Sequence, residues 1–129
     1  MIDYILRKRD CPKEVIPIKE LHEITSIEMV EKFIQQHELV LLYVSRSECS
    51  VCHALLPKIQ GLLESYPMIH LVHIDANVVE EVASRFLIFT VPTMLLLVDQ
   101  KEYIREDRFV RLERLEEQLQ QICNLYMEK

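Results

Sequence analysis

The sequence predicts an α/β fold in which a mixed central β-sheet is flanked by helices on both faces. Three observations predict it. Strand-like and helix-like apolar patterns alternate through the first two thirds of the chain. One strand candidate, "ELVLLYVS" at residues 38–45, is apolar without alternation, the mark of a strand covered on both faces by helices. Near the C-terminus the apolar run of "FTVPTMLLLV" turns at "DQK" into "EYIREDRFV", which reads as an antiparallel hairpin.

The elements follow in chain order. Residues Glu14 to Lys19, "EVIPIK", read as a short strand, weakened at Pro17 and so expected at an edge. Thr25 with Glu28 makes a capping-box pattern, and Ile27, Val30 and Ile34 then recur on one helical face to about Gln36. The buried strand comes next. From Ser50 to Tyr66 the residues Leu55, Ile59, Leu62 and Tyr66 return every three or four positions, which predicts a helix with Pro57 kinking its interior. "IHLVHID" is a second central strand. Asn77 to about Phe86 reads as a short helix with Val78, Val79, Val82 and Phe86 inward. After the hairpin, whose turn lacks the usual glycine, Leu112, Leu115, Leu119, Ile122 and Tyr126 trace a final amphipathic helix. The predicted order is β-α-β-α-β-α-β-β-α.

At 129 residues the chain is expected to form one domain, with a core from about Glu14 to Tyr126. Half of its residues are hydrophobic and 28% are charged, a globular balance. A net charge of -6 argues against nucleic acid or an anionic membrane as partner, and the one basic cluster, "RKRD" at residues 7–10, is short and ends in an acid. No apolar run approaches the roughly 18 residues of a membrane span, and the N-terminus lacks the pattern of an export signal. A cytoplasmic location is expected, where a close cysteine pair is more often catalytic or metal-binding than a staple. Gly61 is the only glycine, which excludes a phosphate-cradling Gly-rich loop.

The chemistry concentrates in "SRSECSVCHALLPK", residues 45–58. Two thiols spaced Cys-x-x-Cys at a helix start come within disulfide range, and the first faces unpaired backbone N–H groups and the positive end of the helix dipole. Those groups stabilise thiolate, the attacking species. Cys49 is therefore the candidate nucleophile, and Cys52, one turn deeper, is placed to resolve a mixed disulfide. Thiol–disulfide exchange is the reaction this spacing points to. A structural zinc site would need four ligands, and only His53 lies close by in sequence.

With these residues in place the sequence resembles the thioredoxin family over about Ile18 to Cys123. The shared parts come in order: the buried strand, Cys49-Ser50-Val51-Cys52, Pro57 five residues after Cys52, "HIDAN" around Asp75, "VPT" at Val91 to Thr93, and the terminal helix. The VPT proline, 43 residues after Cys49, makes the signal specific. The resemblance implies that Pro92 is cis and beside the cysteines, that Val91 contacts substrate through its backbone, and that Thr93 helps shape the site. It implies no bound cofactor. Partners would be disulfide-containing client proteins and a thiol reductant or reductase, with the chain acting as a monomer.

The chain also departs from the family. Ser-Val stands between the cysteines where thioredoxins have Gly-Pro, and Glu48 occupies the place of the tryptophan before the first cysteine; there is no Trp at all. The buried acid of the central strand is replaced by Tyr43, and the lysine accompanying it falls at Leu71. "RFVR" replaces the glycine before the last helix, which implies a narrower or differently shaped groove. Glu48 and His53 are candidate tuning groups for the thiolates. Cys123 reads as a small buried residue of the helix face, Cys11 as incidental or an exposed thiol, and His70 and His73 as satisfied strand residues. The alternative to an enzyme is a redox-inactive thioredoxin-fold module whose groove binds a partner.

Overall fold

The strand spanning Leu39–Ser45 is buried at all seven positions, as its unbroken apolar run requires. Around it the computed structural model describes residues 19–127. The described elements are β1 Leu21–Ile24, α1 Ile27–Gln36, β2 Leu39–Ser45, α2 Ser50–Leu63, β3 His70–Asp75, α3 Glu81–Arg85, β4 Thr93–Val98, β5 Lys101–Glu106 and α4 Leu112–Met127. They form one five-stranded mixed sheet in the order β1-β3-β2-β4-β5. β3 is parallel to β1 and to β2, whereas β4 runs antiparallel to β2 and to β5.

Alternate side chains of each strand feed two cores. On one face Leu41, Tyr43, Leu71, Met94 and Leu96 pack against Cys52, Ile59 and Leu63 of α2 and Leu115, Leu119 and Cys123 of α4. On the other, Val40, Leu42, Val44, Val72 and Ile74 meet Val30 and Ile34 of α1 and Val82 of α3. Each buried aliphatic side chain contributes about 1.5–3 kcal/mol over its exposed state, so the two layers hold the sheet from both sides.

Several elements differ from expectation. The strand predicted over Glu14–Lys19 lies outside the described residues apart from Lys19, and the edge strand described here is Leu21–Ile24. Its sequence, "LHEI", puts two polar residues between two apolar ones that face opposite sides, so it carries no strand period. The N-cap of α1 is Ser26 rather than Thr25: its Oγ accepts from Met29 N at 3.2 Å. α2 ends at Leu63, and Tyr66 is buried just beyond it. The third helix covers only Glu81–Arg85, and Val78, expected inward, is 58% exposed because Asn77–Val79 form turns around the Asp75 carbonyl.

The β4–β5 hairpin turns at Asp99 (φ 50) and Gln100 (φ 71), two positive-φ residues of the kind a two-residue turn matched to strand twist requires. Arg105 of β5 donates to the carbonyls of Phe86 (2.6 Å) and Leu87 (3.1 Å) while Glu102 braces it, which ties the end of α3 to the sheet edge. Lys19 is buried, and its ammonium donates to Tyr66 O at 2.8 Å. Burial pulls that ammonium down to about 8, against the opposing charge of Glu20. Among the described residues no helix is long and apolar enough to cross a membrane.

Candidate active site

β2 ends at Ser45, and the chain turns through Arg46–Glu48 into α2, where Cys49 is the N-cap. Its Sγ accepts from Cys52 N at 3.2 Å, the geometry by which a helix terminus stabilises a negative sulfur. Cys49 and Cys52 are joined as a disulfide with Cα atoms 5.3 Å apart. Their surroundings differ. Cys49 is partly exposed, whereas Cys52 is 1% exposed and sits in the core under α2.

Tyr43 lies beneath the pair, fully buried, and its hydroxyl donates to Cys52 O at 2.6 Å. Burial pushes the phenol up to about 12, so it is a neutral donor at any ordinary pH. Glu48 points away from the core: its carboxylate accepts from Asn77 Nδ2 at 2.7 Å and Ser47 Oγ at 3.3 Å. Its own backbone N–H, then the Asn77 amide, hold it below the usual carboxylate range. His53 is exposed, with Nε2 2.7 Å from Ser47 O, so the ring folds back over the loop that carries Cys49.

The Val91–Pro92 peptide is cis, and Val91 is partly buried against both cores. Thr93 Oγ1 donates to Thr90 O at 2.6 Å, closing the turn that leads into β4. Beside Val91 and Pro92 opens a hollow of about 400 Å³, lined also by Arg46, Arg108 and Phe109. Phe109 comes from the "RFVR" stretch and is 78% exposed; Phe89, on the same hollow, is 86% exposed. Sequence reading did not single out Arg46 or Phe89. An aromatic residue four positions before the VPT threonine offered a signal only in hindsight, because apolar neighbours in "FLIFTVP" made it look like core.

A second group was also missed. His73 Nδ1 lies 2.7 Å from both carboxylate oxygens of Glu23, and Ser45 Oγ lies 2.6 Å from His73 Nε2. A carboxylate can only accept, so Nδ1 donates to Glu23, and Nε2 is left facing the Ser45 hydroxyl. Among the described residues no group of three or more His, Cys, Asp or Glu is placed to hold a metal ion. Cys123 is buried in the core with its sulfur 3.7 Å from Met68 Sδ, and Cys11 lies outside the described residues.

An α/β sheet with a Cys-x-x-Cys pair at disulfide distance on a helix N-terminus defines a protein equipped for thiol–disulfide oxidoreduction. The thioredoxin family model matches residues 21–121. The chain is 46% identical over 109 residues to the thioredoxin-like protein YdfQ of Bacillus subtilis, covering 84% of this chain and 97% of that one. It is 30% identical over 79 residues to thioredoxin-2 of Pyricularia oryzae, covering 61% of this chain and 46% of that one. Among solved structures, the Nicotiana alata thioredoxin NaTrxh superimposes with a TM-score of 0.70 at 21% identity, over 82% of this chain and 95% of its own. A thioredoxin variant from Halobacterium salinarum gives 0.70 at 18% identity, over 81% and 91%. The chain belongs to the thioredoxin family.

Proposed function

We propose that the protein exchanges its Cys49–Cys52 dithiol with disulfides of client proteins, with Cys49 attacking and Cys52 resolving. The unequal burial of the two sulfurs carries this reading: Cys49 is reachable and held at a helix N-terminus, and Cys52 is enclosed beneath it. In the forward direction the Cys49 thiolate attacks one sulfur of the client, the client disulfide breaks, and its second sulfur leaves as a thiolate that takes a proton. Cys52 then loses its proton and attacks Cys49. The internal disulfide forms, the client leaves with two electrons more, and a thiol reductant or reductase restores the dithiol.

Val91 and Pro92 shape the floor where an extended client segment lies, the buried Thr93 holds the turn beneath them through Thr90 O, and Phe89, Phe109, Arg46, Arg108 and Asp107 offer apolar and charged walls. Glu48 opposes thiolate formation at Cys49 and His53 favours it when protonated. The pathway is cytoplasmic in this reading, and the chain works as a monomer.

The test is reduction of a model protein disulfide with dithiothreitol as electron source. Wild type accelerates it, Cys49→Ser abolishes the acceleration, and Cys52→Ser accumulates mixed disulfides visible by non-reducing electrophoresis. Wild type no faster than the double serine variant would leave the alternative, a redox-inactive binding module. The replacement of an acid by the neutral donor Tyr43 beneath Cys52 is the observation on that side.

A further inference from the structure

Two large aromatic side chains stand in water on the hollow that opens beside Val91 and Pro92: Phe89 is 86% exposed and Phe109 78%. A single exposed apolar residue is ordinary, but two phenylalanines on one hollow make a patch. Neither is exposed through looseness of its backbone. Ile88 is buried with its N–H donating to Ala83 O at 2.8 Å, Arg105 holds the carbonyls of Phe86 and Leu87, and Thr93 Oγ1 donates to Thr90 O, so the chain is fixed on both sides of Phe89. The Phe109 N–H donates to Asp107 Oδ1 at 2.8 Å, and the Arg108 guanidinium lies 5.2 Å from the centre of the Phe109 ring. Rings mounted on a backbone held in advance leave little to order when a partner binds.

The charge on this hollow runs against that of the molecule. The chain carries a net charge of -6, yet Arg46 and Arg108 both line the hollow, and neither makes an ion pair among the described residues. Asp107 is the one acid on the lining, and the Phe109 N–H already engages it. Glu48, two residues from Arg46, is taken up by Asn77 and Ser47. Two guanidinium groups without a carboxylate of their own are suited to one brought by a partner. Arg46 also ties the hollow to the nucleophile, because its carbonyl accepts the Cys49 N–H at 3.1 Å.

We propose that the site selects disulfides carried by acidic, apolar segments. A large apolar side chain two residues from the attacked cysteine packs against Phe89 and Phe109, and a carboxylate next to it meets Arg46 and Arg108. This substrate class rests on the exchange reading. In an extended segment residues i and i+2 face the same way, about 6.6 Å apart, while i+1 faces the other way. The client cysteine has to face Cys49, so the side chain two places along faces the protein as well, and the hollow is there to take it. The residue beside it points toward the rim, within reach of long arginine side chains.

The test uses peptides whose one cysteine is held as a mixed disulfide with thionitrobenzoate. The aryl thiolate is the better leaving group, so Cys49 of the reduced full-length protein attacks the peptide sulfur and the release is coloured. The varied pair of residues precedes the cysteine in one series and follows it in another. In one series Phe in place of Ala two positions from the cysteine should raise the second-order rate by about tenfold. Glu in place of Lys beside it should raise the rate by about threefold at low salt and much less at about 1 M, a preference opposite to the one that the net charge would produce. Each ratio compares two peptides on one protein, so a change in Cys49 reactivity divides out. Phe89→Ala, which at 86% exposure removes nothing from the core, should bring the Phe/Ala ratio toward one, as should Phe109→Ala. Arg46→Gln combined with Arg108→Gln should abolish the preference for Glu. A wild-type Phe/Ala ratio near one in both series, a preference for Lys, or ratios unmoved in these variants overturns the proposal while the exchange reading stands. A wild-type rate no greater than that of free glutathione on every peptide overturns both.

Discussion

Tyr43 shows how one buried side chain can tie the central strand to the helix that carries the cysteines. Fully enclosed, it spends its one hydroxyl on the carbonyl of Cys52. Tyr43→Phe keeps the packing and removes that bond, so unfolding free energy should fall by about 1 kcal/mol, read from the urea midpoint at constant slope. Because burial holds the phenol near 12, the pH dependence of exchange between 6 and 9 should keep its shape in the variant. The sequence displayed Cys49, Cys52 and Pro92 openly, since their meaning lies in spacing along the chain. Ser45, His73 and Glu23 were invisible as a group. Their contact depends on the register of three strands, two of which meet only through β3, and no spacing in the sequence encodes that register.

Among the elements, the helix and hairpin ends are where local chemistry and fold diverge. β2, α4 and the hairpin could be read because each carries an apolar pattern longer than a turn. β1 could not, having four residues whose buried face is finished by neighbours distant in sequence. The hairpin turn keeps two side chains in a conformation that suits glycine. Holding Gln100 at φ 71 costs about 1–2 kcal/mol, while a glycine there loses about 0.5–1 kcal/mol more backbone entropy on folding. The difference favours glycine, so Gln100→Gly should stabilise the protein by about 0.5–1 kcal/mol, measured by urea denaturation, with no effect on exchange. A loss of stability would show that the Gln100 side chain makes a compensating contact.

Across the whole molecule the sheet separates two chemistries. The cysteines and the Ser45–His73–Glu23 row belong to the face covered by α2 and α4. On the opposite face His22, His37 and His70 gather around Phe33, with ring centroids of His37 and His70 4.2 Å apart. Burial, then the neighbouring His37, His22 and Lys19, hold His70 below its ordinary value. The unfolded chain therefore takes up this proton before the folded one does as pH falls through about 6.5, and folding loses stability there. Wild type should show a larger drop in Tm between pH 7.5 and 5.5 than His70→Gln. Equal drops in the two proteins would remove His70 from the account.

The enclosure of Cys52 has a last consequence, which concerns time. A visiting protein can touch one sulfur and never the other, so whatever its size or sequence it meets a monothiol. The second sulfur then acts as a clock started by the first bond. In the proposed cycle the lifetime of the covalent complex is set in part from within the fold, by how quickly Cys52 sheds its proton and reaches Cys49, and in part by how readily the client's own sulfur leaves.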